Sequence, residues 1–188
     1  VPCPDQGDDE VRKVVAYELL SLDGVAENPD EFITNWDDAM GENLARVIAP
    51  QDTVLLGHRT YDDWSAFWPP SDIEPFATFI NGVKKFAAAS TTPALPWANA
   101  TVINSDFSEF VTELKQQSGG DIGVHGSIAL VQSLLKASLV NELRLVIAPS
   151  LQMHGRRLFD KALPIRLELT RTVTSPTGYL LLDYRVGA

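Results

Sequence analysis

Only one cysteine, Cys3, stands in the 188 residues, so no disulfide can close within the chain and a reducing compartment suits it. No apolar run nears the ~20 residues of a membrane-spanning helix. Basic residues are scarce: 15 Lys and Arg against 25 Asp and Glu leave a net charge of −10. That excludes the broad basic face of a nucleic-acid binder. A small anionic ligand stays possible, because salt screens exposed charges beyond about 8 Å and a local cation cluster prevails at short range. His58, His125 and His154 are scattered, without H-E-x-x-H spacing or a cysteine partner, which argues against a metal site. Each reads as a hydrogen-bonded surface or turn residue. A G-x-G-x-x-G after an early strand, a Walker A loop and a G-x-S-x-G elbow are all missing, which removes the Rossmann, P-loop and serine-hydrolase readings.

What is there reads as one folded domain, 45% hydrophobic and 21% charged. The opening "VPCPDQGDDE" has no basic segment ahead of an apolar one, so residues 1–11 read as a flexible acidic tail. Residues 12–188 are the domain, expected in the cytoplasm. "KVVAYELL" (13–20) and "TVLLG" (53–57) are short β-branched apolar runs, the pattern of buried strands. Between them Trp36, Met40, Leu44, Val47 and Ile48 recur at helical spacing, and Pro50 ends that helix. A second helix is expected from about Thr60 to "WPP", and a third from Pro75 to Gly82. Strands follow at 84–90 and 100–104. Asp106 and Glu109 then have capping-box spacing ahead of Phe107, Phe110, Val111 and Leu114.

"DIGVHG" (121–126) is the next strand with its exit turn, and Ser127 is placed to cap the helix carrying Ile128, Val131, Leu134 and Leu135. The last third changes to "ELRLVIAP", "RLELTRTV" and "YLLLDYRV", the latter two flanking a "TSPTG" turn as an antiparallel pair. Alternating strands and helices followed by a hairpin predict an α/β domain with a mostly parallel sheet and an antiparallel edge.

Two strand-to-helix turns share one logic. Gly57 precedes His58-Arg59-Thr60, and Gly126 precedes Ser127. A helix start offers unpaired N–H groups and roughly half a positive charge, and glycine lets a ligand approach the backbone. Together the turns could hold the diphosphate of one dinucleotide, or both glycines could simply turn the chain.

The order "SLDGVAE", "LLGHRTYDDWSAFWP", "KFAAAST", "DIGVHGSIALVQSLL" and "VNELRLVIAPSLQMHGRRLF" resembles one superfamily over about residues 12–186. It is that of the dihydrofolate-reductase-like proteins, in the branch similar to the C-terminal reductase domain of bacterial riboflavin biosynthesis. The resemblance implies a three-layer fold with helices flanking the central sheet, and NADPH as cofactor. It implies that Gly57, His58, Arg59 and Thr60 bind the diphosphate and approach the adenosine 2′-phosphate. Ser90 and Thr91 would serve the adenosine ribose and 2′-phosphate. His125, Gly126 and Ser127 would form the second diphosphate turn. Asp23 and Gly24 would lie over the nicotinamide, with Asp23 polarising the substrate or relaying a proton.

Many relatives carry Arg at His58 and a Gly-Gly pair at His125-Gly126, so Arg59 is the one permanent cation of its turn. The expected reaction is hydride transfer to a small heterocyclic or conjugated carbonyl substrate. Two readings stay open beside it: a dinucleotide-binding module without catalysis, and a true dihydrofolate reductase. No metal, nucleic acid or membrane is expected. A homodimer is, because "LVIA" and "YLLL" are more apolar than a solvated sheet edge tolerates.

Overall fold

A computed structural model of the protein describes residues 11–91, 93–160 and 164–187. The expected acidic tail, Cys3 included, lies outside the described residues except for Val11. Among the described residues, eight strands form one sheet. They are β1 (Val14–Leu20), β2 (Gln51–Gly57), β3 (Lys84–Ala88), β4 (Ala100–Ile103), β5 (Asp121–His125), β6 (Glu142–Ile147), β7 (Leu167–Thr174) and β8 (Leu180–Val186). Their order is β4-β3-β2-β5-β1-β6-β8-β7. The pairs from β4 to β6 are parallel, and β6–β8 and β8–β7 are antiparallel.

The helices are α1 (Asp38–Ile48), α2 (His58–Phe67), α3 (Phe76–Gly82), α4 (Phe107–Lys115) and α5 (Ile128–Lys136). From β1 through β2 to β3 the chain steps one way across the sheet, and α1 and α3 cover one face. There Met40, Leu44, Val47, Phe76 and Ile80 pack on Tyr17, Val54 and Leu56. From β4 through β5 to β6 it steps back, and α4 and α5 cover the other face. Val111, Leu114, Ile128, Val131 and Leu134 pack there on Ala16, Leu55 and Val124. Right-handed crossovers require this change of side when the direction reverses. The result is the expected three-layer α/β architecture.

Local chemistry sets the helix starts. Asp37 accepts from Met40 N at 3.0 Å and caps α1, which leaves Trp36 outside the helix and 45% exposed. Asp106 accepts from Ser108 N and Glu109 N and caps α4. The helix expected from Thr60 begins at His58, because Gly57 takes the N-cap position.

The dimer expectation rested on the wrong strands. "LVIA" belongs to β6, which lies between β1 and β8, and "YLLL" leads into β8, between β6 and β7. Both are interior, and Val146 and Leu181 are buried. The outer strand at this end of the sheet is β7, where Leu167 and Leu169 are exposed. Among the described residues no helix is long and apolar enough to cross a membrane.

Candidate active site

A cleft of about 710 Å³ opens beyond the carboxyl ends of β2 and β5. Its walls come from the starts of α2, α4 and α5, the loop 26–30 and Arg156. Gly57, His58, Arg59, Thr60, Gly126 and Ser127 all line it, so the two glycine turns meet at one place. They meet tightly: a Cβ added at Gly57 would collide with Ser127 Oγ.

The three helix starts differ in one respect. The carboxylate of Asp106 occupies the first N–H groups of α4. Neither Gly57 at α2 nor Ser127 at α5 provides a side-chain cap. Those two starts keep N–H donors and positive dipole ends available to an anion. Ser127 thus departs from the capping role expected of it, because its hydroxyl packs against Gly57 instead. Gly126 has φ 68°, a left-handed conformation that favours glycine, and a Cβ there would stand 3.5 Å from Trp64 Cζ2. Trp64 walls the cleft and is wedged edge-on against Trp68 and Phe76.

The basic residues of the cleft come from two segments, the α2 start and residue 156. Arg59 is exposed and has no ion pair with any described residue. His58 Nε2 lies 3.2 Å from Asp62 Oδ2, and Asp62 Oδ1 accepts from Ala94 N. Arg156 also lines the cleft, its backbone N–H bonded to Glu27 Oε2 and its carbonyl to Ala26 N. Sequence reasoning passed over Arg156, although it lies inside the quoted "HGRRLF". Ser90 and Thr91 do not line this cleft. They line a separate hollow of about 260 Å³ with Pro93, Val102 and Asn104. The two hollows meet along the chain at Ala88 and Ala89.

His125 has a different place from the one expected. Its side chain is 2% exposed and turns away from the cleft to the α1–α3 face, among Tyr17, Phe76 and Phe79. Nε2 is 2.8 Å from Gln51 Oε1, and Gln51 reaches it by crossing Gly123, where no side chain intervenes. Burial pushes its pKa down to about 3, so it is a neutral core residue and neither a turn residue nor a cation for phosphate.

Asp23 and Gly24 also lie off the cleft wall. Asp23 Oδ1 accepts from Ser21 Oγ at 2.7 Å and Gln152 N at 3.0 Å, and Oδ2 accepts from Met153 N at 2.9 Å and Arg157 Nη2 at 3.3 Å. The Gly24 carbonyl accepts from Leu158 N at 3.1 Å. These bonds hold the Asp23 carboxyl well below the ordinary carboxylate range, the Gln152 N–H contributing most. A carboxylate with both oxygens engaged and so weak a base fastens the loop after β1 to residues 152–158. It does not suit proton relay.

The sign of its pH effect follows. A depressed folded-state pKa gives stabilisation that is complete above the ordinary aspartate range, near 3.9, and is lost as the pH falls below it. Protection of the Gln152 and Met153 amides, taken relative to the intrinsic exchange rate at each pH, is therefore expected to fall on acidification, and Asp23→Asn to show the lower protection already at neutral pH. Unchanged protection in the variant would remove the tether.

The chain belongs to the RibD C-terminal domain family, whose model matches residues 12–181. It is 27% identical over 181 residues to the uncharacterized protein YyaP of Bacillus subtilis strain 168, covering 92% of this chain and 94% of that one. Among solved structures it superimposes with a TM-score of 0.69 on a pyrimidine reductase-like protein of Corynebacterium diphtheriae, at 15% identity, covering 95% of this chain and 93% of the other. With dihydrofolate reductase of Enterococcus faecalis, solved with NADP(H), the TM-score is 0.60 at 15% identity, covering 93% and 94%. The fold is therefore dihydrofolate-reductase-like, and the family is one of riboflavin-type reductase domains.

Proposed function

We propose that the protein is an NADPH-dependent reductase that transfers hydride to a small heterocyclic or conjugated carbonyl substrate. The observation that carries this reading is the meeting of two uncapped helix starts, at Gly57 and Ser127, over one cleft. The donor set suits a diphosphate: backbone N–H groups of 58–60 and 127–129 on two sides, with Arg59 and Arg156 lining the cleft. When bound, the reduced nicotinamide supplies the hydride. The chain's own residues bind and orient, and Trp64 and the loop 26–30 shield the cleft from water.

Dihydrofolate itself is not the expected substrate. A pteridine calls for a carboxylate on α1, and Asp38 and Glu42 are exposed while Asp37 is bound to Met40 N and Thr177 Oγ1. The buried positions of α1 are Met40, Asn43, Leu44, Val47 and Ile48. The direct test is NADPH oxidation against pteridines, pyrimidines and quinones, with binding followed by Trp fluorescence. Consumption with a pyrimidine or quinone supports the reading. Binding without consumption across the panel would make the protein a dinucleotide-binding module, and robust dihydrofolate turnover would overturn the substrate assignment.

Coenzyme choice follows from Arg59, with Ser90 and Thr91 in the neighbouring hollow. A charge-assisted contact to the 2′-phosphate contributes roughly 1.5–3 kcal/mol, so NADPH is expected to bind about ten- to a hundredfold more tightly than NADH. The gap should shrink with salt and close in Arg59→Ala. Equal affinities in the wild type at low salt would reject this role.

We also propose a homodimer, now through β7, an outer strand whose exposed Leu167 and Leu169 lie along an edge that pairs with no other described strand. Light scattering at micromolar concentration is expected to give about twice the chain mass. A value of 20.6 kDa would refute it.

A further inference from the structure

A buried carboxyl stands behind the Gly126 turn with no part in the reading above. Glu18 lies in β1 opposite Leu145 of β6, on the face it shares with Ala16 and Leu20. Tyr17 is level with His125 in the parallel β1–β5 pair, so Glu18 is level with Gly126, the first residue past β5. It is 2% exposed, and its Oε1 has no hydrogen-bond partner among the described residues. An acid so placed is costly and calls for a reason.

Its position suggests one. From β1 the chain passes to α1 on one face of the sheet, and from β5 to α5 on the other. The two neighbouring strands therefore part at their carboxyl ends, where open α/β sheets take their ligands. Glu18 sits at that parting. Gly126 lines the cleft and also turns its backbone N–H toward Glu18. The residues that β5, β6 and α5 contribute to this face are apolar, among them Val124, Leu145, Leu130 and Leu134. Burial raises the pKa of Glu18 to about 8 and the Gly126 N–H only partly opposes it, so the carboxyl is mostly neutral at pH 7.

We propose that Glu18 makes anion binding at the Gly126–Ser127 turn proton-linked: the turn holds a phosphate-bearing ligand while Glu18 is neutral, and ionised Glu18 weakens that hold. The inference rests on the cleft being the anion site. The physical cause is electrostatic. A carboxylate behind the turn repels the ligand through a low-dielectric interior. Linkage is reciprocal, so bound anion raises the affinity of Glu18 for its proton. Affinity is then constant at low pH and falls by up to about tenfold per pH unit between the ligand-free and ligand-bound titrations of Glu18. The other ionisable groups around the cleft are Glu27, Asp30, His58, Arg59, Asp63 and Arg156, so the test must single out Glu18.

NADPH is titrated into wild type and Glu18→Gln from pH 7 to 9.5, a range in which its phosphates, with second pKa near 6, hold constant charge. The expected result is a loss of affinity of about tenfold or more in the wild type and a flat profile in Glu18→Gln, which binds as tightly as the wild type at pH 7. A flat wild-type profile, or an equal slope in both proteins, would overturn the proposal. A second measurement does not depend on NADPH. The infrared band of the protonated carboxyl, assigned by its disappearance in Glu18→Gln, is titrated with and without inorganic pyrophosphate at constant ionic strength. Its midpoint should move to higher pH with pyrophosphate, and an unmoved midpoint overturns the linkage. Failure of NADPH to bind at any pH, with the band still shifting, would sink the coenzyme reading alone.

Discussion

Gly57→Val is expected to yield a folded protein whose affinity for NADPH falls by about a hundredfold or more. The reason is space between the two turns. Gly57 has φ −78° and ψ 159°, an extended conformation open to any residue, so the backbone there does not itself demand glycine. The demand comes from Ser127, whose Oγ occupies the place a Cβ would take. A Cβ at 57 displaces the Ser127 hydroxyl, and the further methyls of valine press on the α5 start and separate donors that act on one ligand. Losing two charge-assisted contacts, at roughly 1.5–3 kcal/mol each, accounts for the predicted drop.

Gly126 is a poorer probe, because its left-handed backbone would be strained by any substitution, whatever happens to the ligand. A double-mutant cycle isolates the effect: Ser127→Gly removes the obstructing hydroxyl and should restore part of the affinity lost in Gly57→Ala. Fluorescence titration of the four proteins is the measurement. Wild-type affinity in Gly57→Val would place the anion elsewhere.

The second large effect is on stability. Lys85→Ala is expected to cost roughly 3–5 kcal/mol, read as a lower denaturant midpoint at unchanged slope. Lys85 is fully buried in β3. Its ammonium donates to the carbonyls of Ile80 at 2.7 Å and Val83 at 2.9 Å, where α3 ends, and stands 4.6 Å from the Trp97 ring centroid. Truncation leaves a cavity and strands helix-end carbonyls without a donor. Lys85→Met fills the volume but not the hydrogen bonds, so it should lie between wild type and Lys85→Ala. Equal stability of wild type and Lys85→Met would show that the carbonyls find other partners.

Much of this fold is legible in local patterns. β-Branched runs mark β1 and β2, the spacing of Val111 and Leu114 marks α4, and Asp106 marks where it begins. The order of strands is not legible that way: β5 inserts between β2 and β1, and periodicity carries no record of a neighbour a hundred residues distant. The site divides along the same line. Glycine turns at helix starts are local and could be read directly. The fates of Asp23, Ser127 and His125 depend on Gln152, Gly57 and Gln51, which only the folded chain brings near. Glu18 had a signal that went unused, an acid within the apolar run "VVAYELL".

The position of β1 has a consequence for how the chain is made. This strand is near the start of the domain, yet its two hydrogen-bonded edges are filled by residues 121–125 and 142–147. During synthesis one edge stays open until His125 has left the ribosome, and the other until Ile147 has. Native pairing must therefore wait for distant sequence, which slows folding relative to a locally connected domain and leaves apolar strand exposed meanwhile. Nascent chains ending before β6 should be protease-sensitive throughout, and protection should arise abruptly once β6 is free to dock.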